Sequence, residues 1–92
     1  MQIEFDAHKR DKTLLERGLD FARAAEVFAG MHLTLEDERF AYSEPRMQTA
    51  GRLDGRIVVL VWTPRGQARR IISMRKANER EIKKIQPALD RS

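Results

Sequence analysis

The run from Arg56 to Trp62, "RIVVLVW", constrains the fold more than any other part of the sequence. It is apolar at successive positions and rich in β-branched residues, which is typical of a strand buried on both faces. Such a strand lies in the centre of a sheet, so the rest of the chain has to supply its neighbours. The run is also far too short to span a bilayer.

Alternating patterns predict the neighbouring strands. Residues 2–5 ("QIEF") and 47–53 ("MQTAGRL") alternate as strands do, and Met31, Leu33 and Leu35 alternate with polar residues to predict a half-buried strand. Asp-Gly at 54–55 predicts a tight turn into the central strand. The segment "PRG" then turns the chain into a returning strand, "ARRIISM".

Two helices are predicted between the first two strands. Asp6 is placed to cap a helix from Ala7 to Arg17, which Gly18 ends because glycine adopts the left-handed conformation at little cost. Asp20 is placed to cap a second helix, in which apolar residues fall on one face and which ends at Gly30.

A third helix is predicted after about Ala77. Ile82, Ile85 and Leu89 recur there at helical spacing between charged residues. Pro87 is expected to end or kink this helix near Gln86, since proline cannot donate a helical hydrogen bond.

These elements predict one α+β domain spanning residues 1–92. Two N-terminal helices and a C-terminal helix would pack on a largely antiparallel sheet. Strand and helix spacing place the aromatic residues in the core, although base stacking on Trp62 is an alternative. Those core aromatics are Phe5, Phe21, Phe28, Phe40 and Trp62.

Charge divides the chain into two unequal halves. The net charge is +4, but residues 1–55 carry 8 Lys/Arg against 11 Asp/Glu, whereas residues 56–92 carry 10 against 3. The second half is therefore suited to bind an anion, and nucleic acid is the commonest large one. The absence of cysteine and of a secretory signal pattern makes the cytoplasm the expected location, with no membrane partner.

Four segments resemble a known family. They are "EFDAHK" near the start, "RGLDFARAAEVF" at the second helix, "YSEPR" followed by a glycine in the middle, and "RRIISMRKANERE" near the end. In this order and spacing, over residues 3 to about 85, they resemble the BrnT-type ribonuclease toxins of bacterial toxin–antitoxin pairs.

The resemblance implies a RelE-like fold, metal-independent cleavage of RNA without a cofactor, and growth arrest by the free protein. It also implies neutralisation by a co-encoded, BrnA-like antitoxin with a ribbon-helix-helix domain, through which alone the complex would bind operator DNA. The chain departs from the family at Glu16-Arg17-Gly18, where many members have Lys-His-Gly, and at Pro64, where many have Glu. If the missing His or Glu moved protons, another base would be needed here.

Cleaving RNA without a metal requires a base for the 2′-hydroxyl, stabilisation of a dianionic transition state and an acid for the leaving oxygen. Arginine suits the second task, because its planar fork donates bidentately to phosphate. Arg65 and Arg75 are the first choices, and Arg46 could join them. Since the strand between Arg65 and Arg75 would be roughly 30 Å long, the two need not share one site.

Other candidates have open alternatives. Lys9 could hold a phosphate or protonate the leaving group, or could form a first-turn ion pair with Asp6. Glu44 could be the base, but we favour it as an ion-pair partner that orients Arg46. Of His8 and His32, at most one is expected to act. Tyr42 lies in the same loop as Glu44, where functional residues are common.

Further basic residues are expected to bind nucleic acid: Arg69, Arg70, Lys76 and Arg80. Strict alternation would place Arg69, Ile71 and Ser73 on the same side as Arg75, with Arg70 on the other. The competing interpretation of all these arginines is a solvated surface. Competing functions are a non-catalytic module that binds nucleic acid or antitoxin in operon repression, and a degenerate toxin that survives as a repressor partner.

Overall fold

The computed structural model describes residues 1–39, 41 and 43–91. In these residues the order of elements is β1 (Gln2–Phe5), α1 (Ala7–Arg17), a 3₁₀ turn (Phe21–Arg23), α2 (Ala24–Ala29), β2 (His32–Glu36), β3 (Met47–Leu53), β4 (Arg56–Arg65), β5 (Ala68–Lys76) and α3 (Glu79–Leu89). The predicted α+β class and order of elements are confirmed. The predictions for Phe40 and Tyr42 fall outside the described residues.

The strands form one sheet in the order β1-β5-β4-β3-β2, so the apolar run is central as predicted. β2, β3, β4 and β5 pair antiparallel in turn, whereas β1 pairs parallel with β5. The sheet is therefore mixed, which corrects the expectation of a largely antiparallel one. β1 connects to the other strands through helices and not through a hairpin, so nothing forces it to run antiparallel to its neighbour.

The residues predicted to delimit the N-terminal helices do so in the structure. The Asp6 carboxylate accepts a hydrogen bond from the Lys9 backbone N–H at 3.0 Å, and Gly18 ends α1 in the left-handed region with φ 69°. The Asp20 carboxylate accepts from the Ala22 backbone N–H at 2.9 Å. It opens the 3₁₀ turn that leads into α2, so the helical segment is less regular at its start than predicted.

The Asp54–Gly55 turn also forms as predicted. Both residues have positive φ, 52° and 78°, as a two-residue hairpin turn requires. The Arg23 guanidinium bonds the Asp54 carboxylate at 2.6 and 2.7 Å and the Glu26 carboxylate at 2.8 and 2.9 Å. Arg23 thereby connects the start of α2 to the turn between β3 and β4.

The hydrophobic core lies between the sheet and the α1–α2 layer; we call this side of the sheet the helix face. Its fully buried members include Phe21, Val27, Leu60, Ile71 and Met74. Trp62 is buried as well, and its indole N–H donates to the Thr49 hydroxyl at 2.8 Å. Burial of Trp62 supports the core prediction over base stacking.

α3 differs from the prediction at its end. It begins with a capping box between Asn78 and Glu81 and continues to Leu89, with Pro87 inside it. Because Pro87 lies in the last turn, its missing N–H removes only one helical hydrogen bond, and the Asp90 N–H still reaches the Gln86 carbonyl at 2.9 Å. Of the two effects expected of Pro87, the end of the helix near Gln86 is wrong, and a kink there stays a prediction.

β2 differs from the prediction in which side is buried. Leu33 and Leu35 are 41% and 76% exposed, whereas the polar His32 is half-buried. The alternation predicted the strand correctly but not the burial of its apolar side. Among the described residues, no helix has the length and apolar character needed to cross a membrane.

Candidate nucleic-acid interface

A β-bulge in β5 decides which arginines share a side of the sheet. Val61 pairs with Ser73, but Trp62 pairs with Ile71, so Ile72 is an extra residue in β5. Ile71 and Met74 consequently both lie on the helix face, although three residues separate them. The strict alternation predicted for this strand is therefore wrong beyond the bulge.

The bulge places Arg70 on the same side as Arg75. Arg70, Ser73 and Arg75 pair with Thr63, Val61 and Val59, which alternate with the core residues of β4. Arg65 continues that row at the end of β4. We call this side the arginine face; it is opposite the helix face, and Arg69 is not part of it.

Arg65 and Arg70 lie near one end of the arginine face. Their positions differ by two residues along the strands, about 7 Å, so both guanidinium groups can reach one phosphate. Arg65 is 3.6 Å from the Glu44 carboxylate, and Arg70 is 3.4 Å from that of Glu4. Both distances exceed the 2.7–2.9 Å typical of a strong charge-assisted hydrogen bond, so an incoming phosphate can compete for these arginines.

Arg75 lies farther along the face and is held differently. Its position is six residues from that of Arg65 along β4, roughly 20 Å, so the two do not converge on one phosphate. Two nitrogens of its guanidinium donate to both oxygens of Glu81, at 2.7 and 2.8 Å. This bidentate pair fixes the N-terminal end of α3 to β5.

The Arg75–Glu81 pair shifts the pKa of both groups towards their charged forms. The hydrogen bonds from Arg75 lower the pKa of Glu81 to about 2. The hydrogen bonds to Glu81 in turn raise the pKa of Arg75, against the opposing effects of partial burial and, less strongly, of the nearby Arg39 charge. A carboxylate with so low a pKa is a poor proton acceptor near neutrality.

The loop before β3 brings Arg46 and Glu44 together. Both line a cleft of about 380 Å³ that also contains Glu36, Asp37 and Glu38. Since Glu44 also faces Arg65, the structure groups three of the five predicted catalytic residues at this end of the sheet. The loop is rich in carboxylates, which supplies proton acceptors but also repels phosphate.

Other predicted residues lie apart from this group. Lys9 is exposed on α1, Lys76 ends β5, and Arg80 is exposed on α3. The Arg69 guanidinium packs over the rings of Phe28 and Trp62 on the helix face, 4.3 and 4.8 Å from their centroids. Its cation–π contacts cover the core at that point.

The sequence interpretation missed Glu81 and Arg39. Glu81 carries a readable signal for its helix-capping role, because Asn-x-x-Glu is a capping pattern. Its bond to Arg75 and the proximity of Arg39 depend on tertiary packing, which has no such signal. Within the described residues, no three His, Cys, Asp or Glu side chains group as a metal site.

Comparison with known proteins gives one result that agrees with this arrangement. The family described as "ribonuclease toxin, BrnT, of type II toxin-antitoxin system" matches residues 5–81. A search of curated proteins gave no significant match. Since the family match covers most of the chain, from β1 into α3, the protein belongs to the BrnT ribonuclease toxins of type II toxin–antitoxin systems.

Proposed function

We propose that this toxin is a metal-independent endoribonuclease that binds RNA across its arginine face. In the reaction, the 2′-oxygen attacks the adjacent phosphorus, the bond from phosphorus to the 5′-oxygen breaks, and the products end in a 2′,3′-cyclic phosphate and a 5′-hydroxyl. The observation that carries the proposal is the bulge at Ile72, because it aligns Arg65, Arg70 and Arg75 on one face.

We assign the scissile phosphate to Arg65 and Arg70. Their long ion pairs leave donors free for phosphate oxygens, and a planar fork can follow the charge that develops in the transition state. Two nitrogens of Arg75 are already bonded to Glu81, so Arg75 positions α3. We assign to it a second, more distant phosphate.

Glu44 is the carboxylate best placed to accept the 2′-hydroxyl proton. Its oxygen lies 3.6 Å from Arg65, and its side chain is accessible. The histidines give less support to such a role: His32 lies on the helix face, paired with Gly51, and His8 lies on α1. The role of Glu44 as an ion-pair partner of Arg46 stays a prediction beside this one, since both residues line the same cleft.

The test is cleavage of total RNA by the purified toxin in the presence of EDTA. Arg65→Ala should reduce the rate by about 100- to 1,000-fold, as expected for losing one donor to the transition state. Arg56→Ala is the matched control, because Arg56 is an exposed arginine at the other end of the same strand. This variant should cleave RNA at the wild-type rate. Intact RNA with folded wild-type protein, or equal loss in both variants, would contradict the proposal.

Glu44→Gln separates binding from catalysis. If Glu44 is the base, this variant should retain RNA in a filter-binding assay but should form cyclic-phosphate ends at least 100-fold more slowly. Unchanged cleavage would exclude Glu44 as the base and leave the arginine assignment standing.

We further infer that free toxin arrests growth and that the antitoxin is a ribbon-helix-helix protein, through which the complex reaches operator DNA. The family match supports the existence of an antitoxin partner but does not specify its fold. Expression with and without a neighbouring gene that encodes such a protein tests the inference. Unimpaired growth without that gene would favour a degenerate copy.

A second candidate function is non-catalytic binding in operon repression. The acidic cleft beside Arg65 favours it, because the exposed carboxylates of Glu36 and Glu38 oppose the approach of RNA. A module of this kind would retain RNA or antitoxin in a salt-dependent manner without producing cyclic-phosphate ends.

A further inference from the structure

The outer edge of β2 is an exposed strand edge with apolar side chains. In the part of the chain that the structure describes, β2 is the last strand of the sheet, and Leu33 and Leu35 project from it with 41% and 76% exposure. Soluble proteins usually protect such edges with charges, proline or bulges, because unpaired N–H and C=O groups bind other strands. Exposed leucines next to such an edge favour association with another strand and do not protect against it.

The pairing with β3 identifies the backbone groups that point outward. The Asp37 N–H donates to the Arg46 carbonyl across the β2–β3 ladder at 2.7 Å. Backbone groups in an antiparallel strand alternate between its two edges, so Leu33 and Leu35 also bond inward. His32, Thr34 and Glu36 therefore present their N–H and C=O groups to the free edge.

We propose that this edge binds a second copy of the same chain, with β2 pairing antiparallel to β2 about a two-fold axis at Thr34. In this register Thr34 faces Thr34 of the other copy, and His32 faces its Glu36. Each outward residue meets an outward residue, and each such pair exchanges two backbone hydrogen bonds. A two-fold at Leu33 or Leu35 would leave one of the three outward residues without a partner.

The side chains are complementary in the same register. Leu33 of each copy faces Leu35 of the other at positions without backbone hydrogen bonds, where Cα atoms are about 4.5 Å apart and side chains pack closely. On the opposite face, the His32 ring faces the Glu36 carboxylate. The His32 Nδ1–H donates to the Gly30 carbonyl at 2.8 Å, so Nε2 faces that carboxylate and donates to it when the ring carries both protons. The strand "HLTLE" is thus complementary to itself when reversed.

The pairing would extend one continuous sheet through both copies. Because the two-fold axis is perpendicular to the sheet, both arginine faces lie on the same side. The leucine contacts lie on that side too, next to a groove formed by Leu35, Val59 and Ile85. The inference does not depend on RNA cleavage, since β2 contains none of the residues assigned to it.

A cross-linking experiment tests the register directly. The chain has no cysteine, so a single introduced thiol can only bond to another copy. In the Thr34→Cys variant, the two thiol-bearing Cα atoms would be about 5.5 Å apart, within disulfide range. Mild oxidation should therefore give a disulfide-linked dimer that non-reducing electrophoresis detects, while thermal unfolding of the reduced protein verifies the fold.

Glu36→Cys is the matched control. In the proposed register position 36 faces position 32, and the two introduced thiols would lie about 14 Å apart along the strands, too far to bond. Cross-linking of both variants to the same extent, or of neither, would overturn the proposal.

Sedimentation equilibrium gives a second measurement on the unmodified protein. Wild-type toxin should show a reversible monomer–dimer equilibrium, and Leu35→Lys should shift it to monomer, whereas Leu15→Lys on exposed α1 should not. The double variant Leu33→Glu/Leu35→Lys should restore the dimer, because each new carboxylate then faces a new ammonium. A monomer at every concentration, or a dimer that Leu35→Lys leaves intact, would contradict the model of self-pairing.

Discussion

At the scale of single residues, the same functional group has different roles on this surface. Arg65 and Arg70 are held loosely, at 3.6 and 3.4 Å from their carboxylates, whereas Arg75 is fixed by two short bonds to Glu81. The residue type was predictable from the need to bind phosphate. Which guanidinium groups are tightly paired was not predictable, because that depends on where Glu4, Glu44 and Glu81 lie in the folded chain.

The Arg75–Glu81 pair makes stability depend on pH. The pKa of Glu81 is about 2 in the folded protein, below its usual 4.5, so the stabilisation is complete above about pH 5 and is lost as pH falls towards 2. Glu81→Gln should therefore lower the free energy of unfolding by about 1 kcal/mol at neutral pH, a modest value because the pair is partly exposed. The deficit should shrink in acid, as measured by urea unfolding at several pH values.

Glu79→Gln provides the control for that measurement. Glu79 lies in the same first turn of α3 and, among the described residues, makes no ion pair within 4.0 Å. Its substitution removes no ion pair and should therefore change the free energy of unfolding less than Glu81→Gln does. Equal pH profiles for the two variants would show that the bond to Arg75 adds nothing to stability.

At the scale of secondary-structure elements, local chemistry was enough to predict most boundaries. Asp6 and Gly18 delimit α1, and the Asp54–Gly55 turn forms as its sequence indicates, because caps and turns are decided by a few neighbouring residues. The bulge at Ile72 was missed, and the expectation that α3 could end near Gln86 was wrong. Both result from packing between elements, which a local pattern does not encode.

Gly51 shows the same dependence on packing. A Cβ at this position of β3 would lie 2.8 Å from the Val27 side chain of α2 and 3.2 Å from the His32 Cβ. Gly51→Ala should therefore destabilise the toxin by about 1–3 kcal/mol through overpacking, detectable as a lower unfolding midpoint.

Gly30→Ala is the comparison variant for this prediction. The nearest atoms to a Cβ at position 30 are backbone oxygens at 3.9 and 4.0 Å, which is ordinary contact. Its free energy of unfolding should stay within about 0.5 kcal/mol of that of the wild type. If Gly51→Ala is equally well tolerated, α2 does not pack against β3 as closely as described.

At the scale of the whole molecule, the uneven charge distribution was the most informative feature of the sequence. The excess of positive charge after residue 56 predicted an anion-binding half, and β4 and β5 from that half carry the arginine face. The class of fold and the family followed from patterns along the chain. The sequence predicted Glu44 beside Arg46, but its proximity to Arg65 could not be predicted, because the loop and the strand end meet only in the folded chain.

RNA binding should respond to salt as the number of phosphate contacts requires. If Arg65 and Arg70 share one phosphate and Arg75 neutralises a second, a plot of log affinity for single-stranded RNA against log salt should have a slope of about −1.4. The double variant Arg65→Ala/Arg70→Ala should make this slope shallower by about 0.7, whereas Arg69→Ala, which removes a group on the helix face, should leave it nearly unchanged. Titration of labelled RNA by fluorescence anisotropy measures both slopes, and equal changes would argue against the assignment of faces.

The extra residue at Ile72 also bears on how such a surface can change in evolution. Deleting Ile72 would restore regular pairing with β4 and leave Arg69 and Arg70 on their present faces, because Ile71 already pairs with Trp62 and Ser73 with Val61. Inserting one residue between Arg70 and Ile71 would instead exchange Arg69 for Arg70 on the arginine face and break the cation–π cover of the core. A point substitution alters one contact, whereas such an insertion would alter both faces of the sheet together. Insertions at this point of β5 should accordingly be far rarer among functional relatives than changes in side-chain identity.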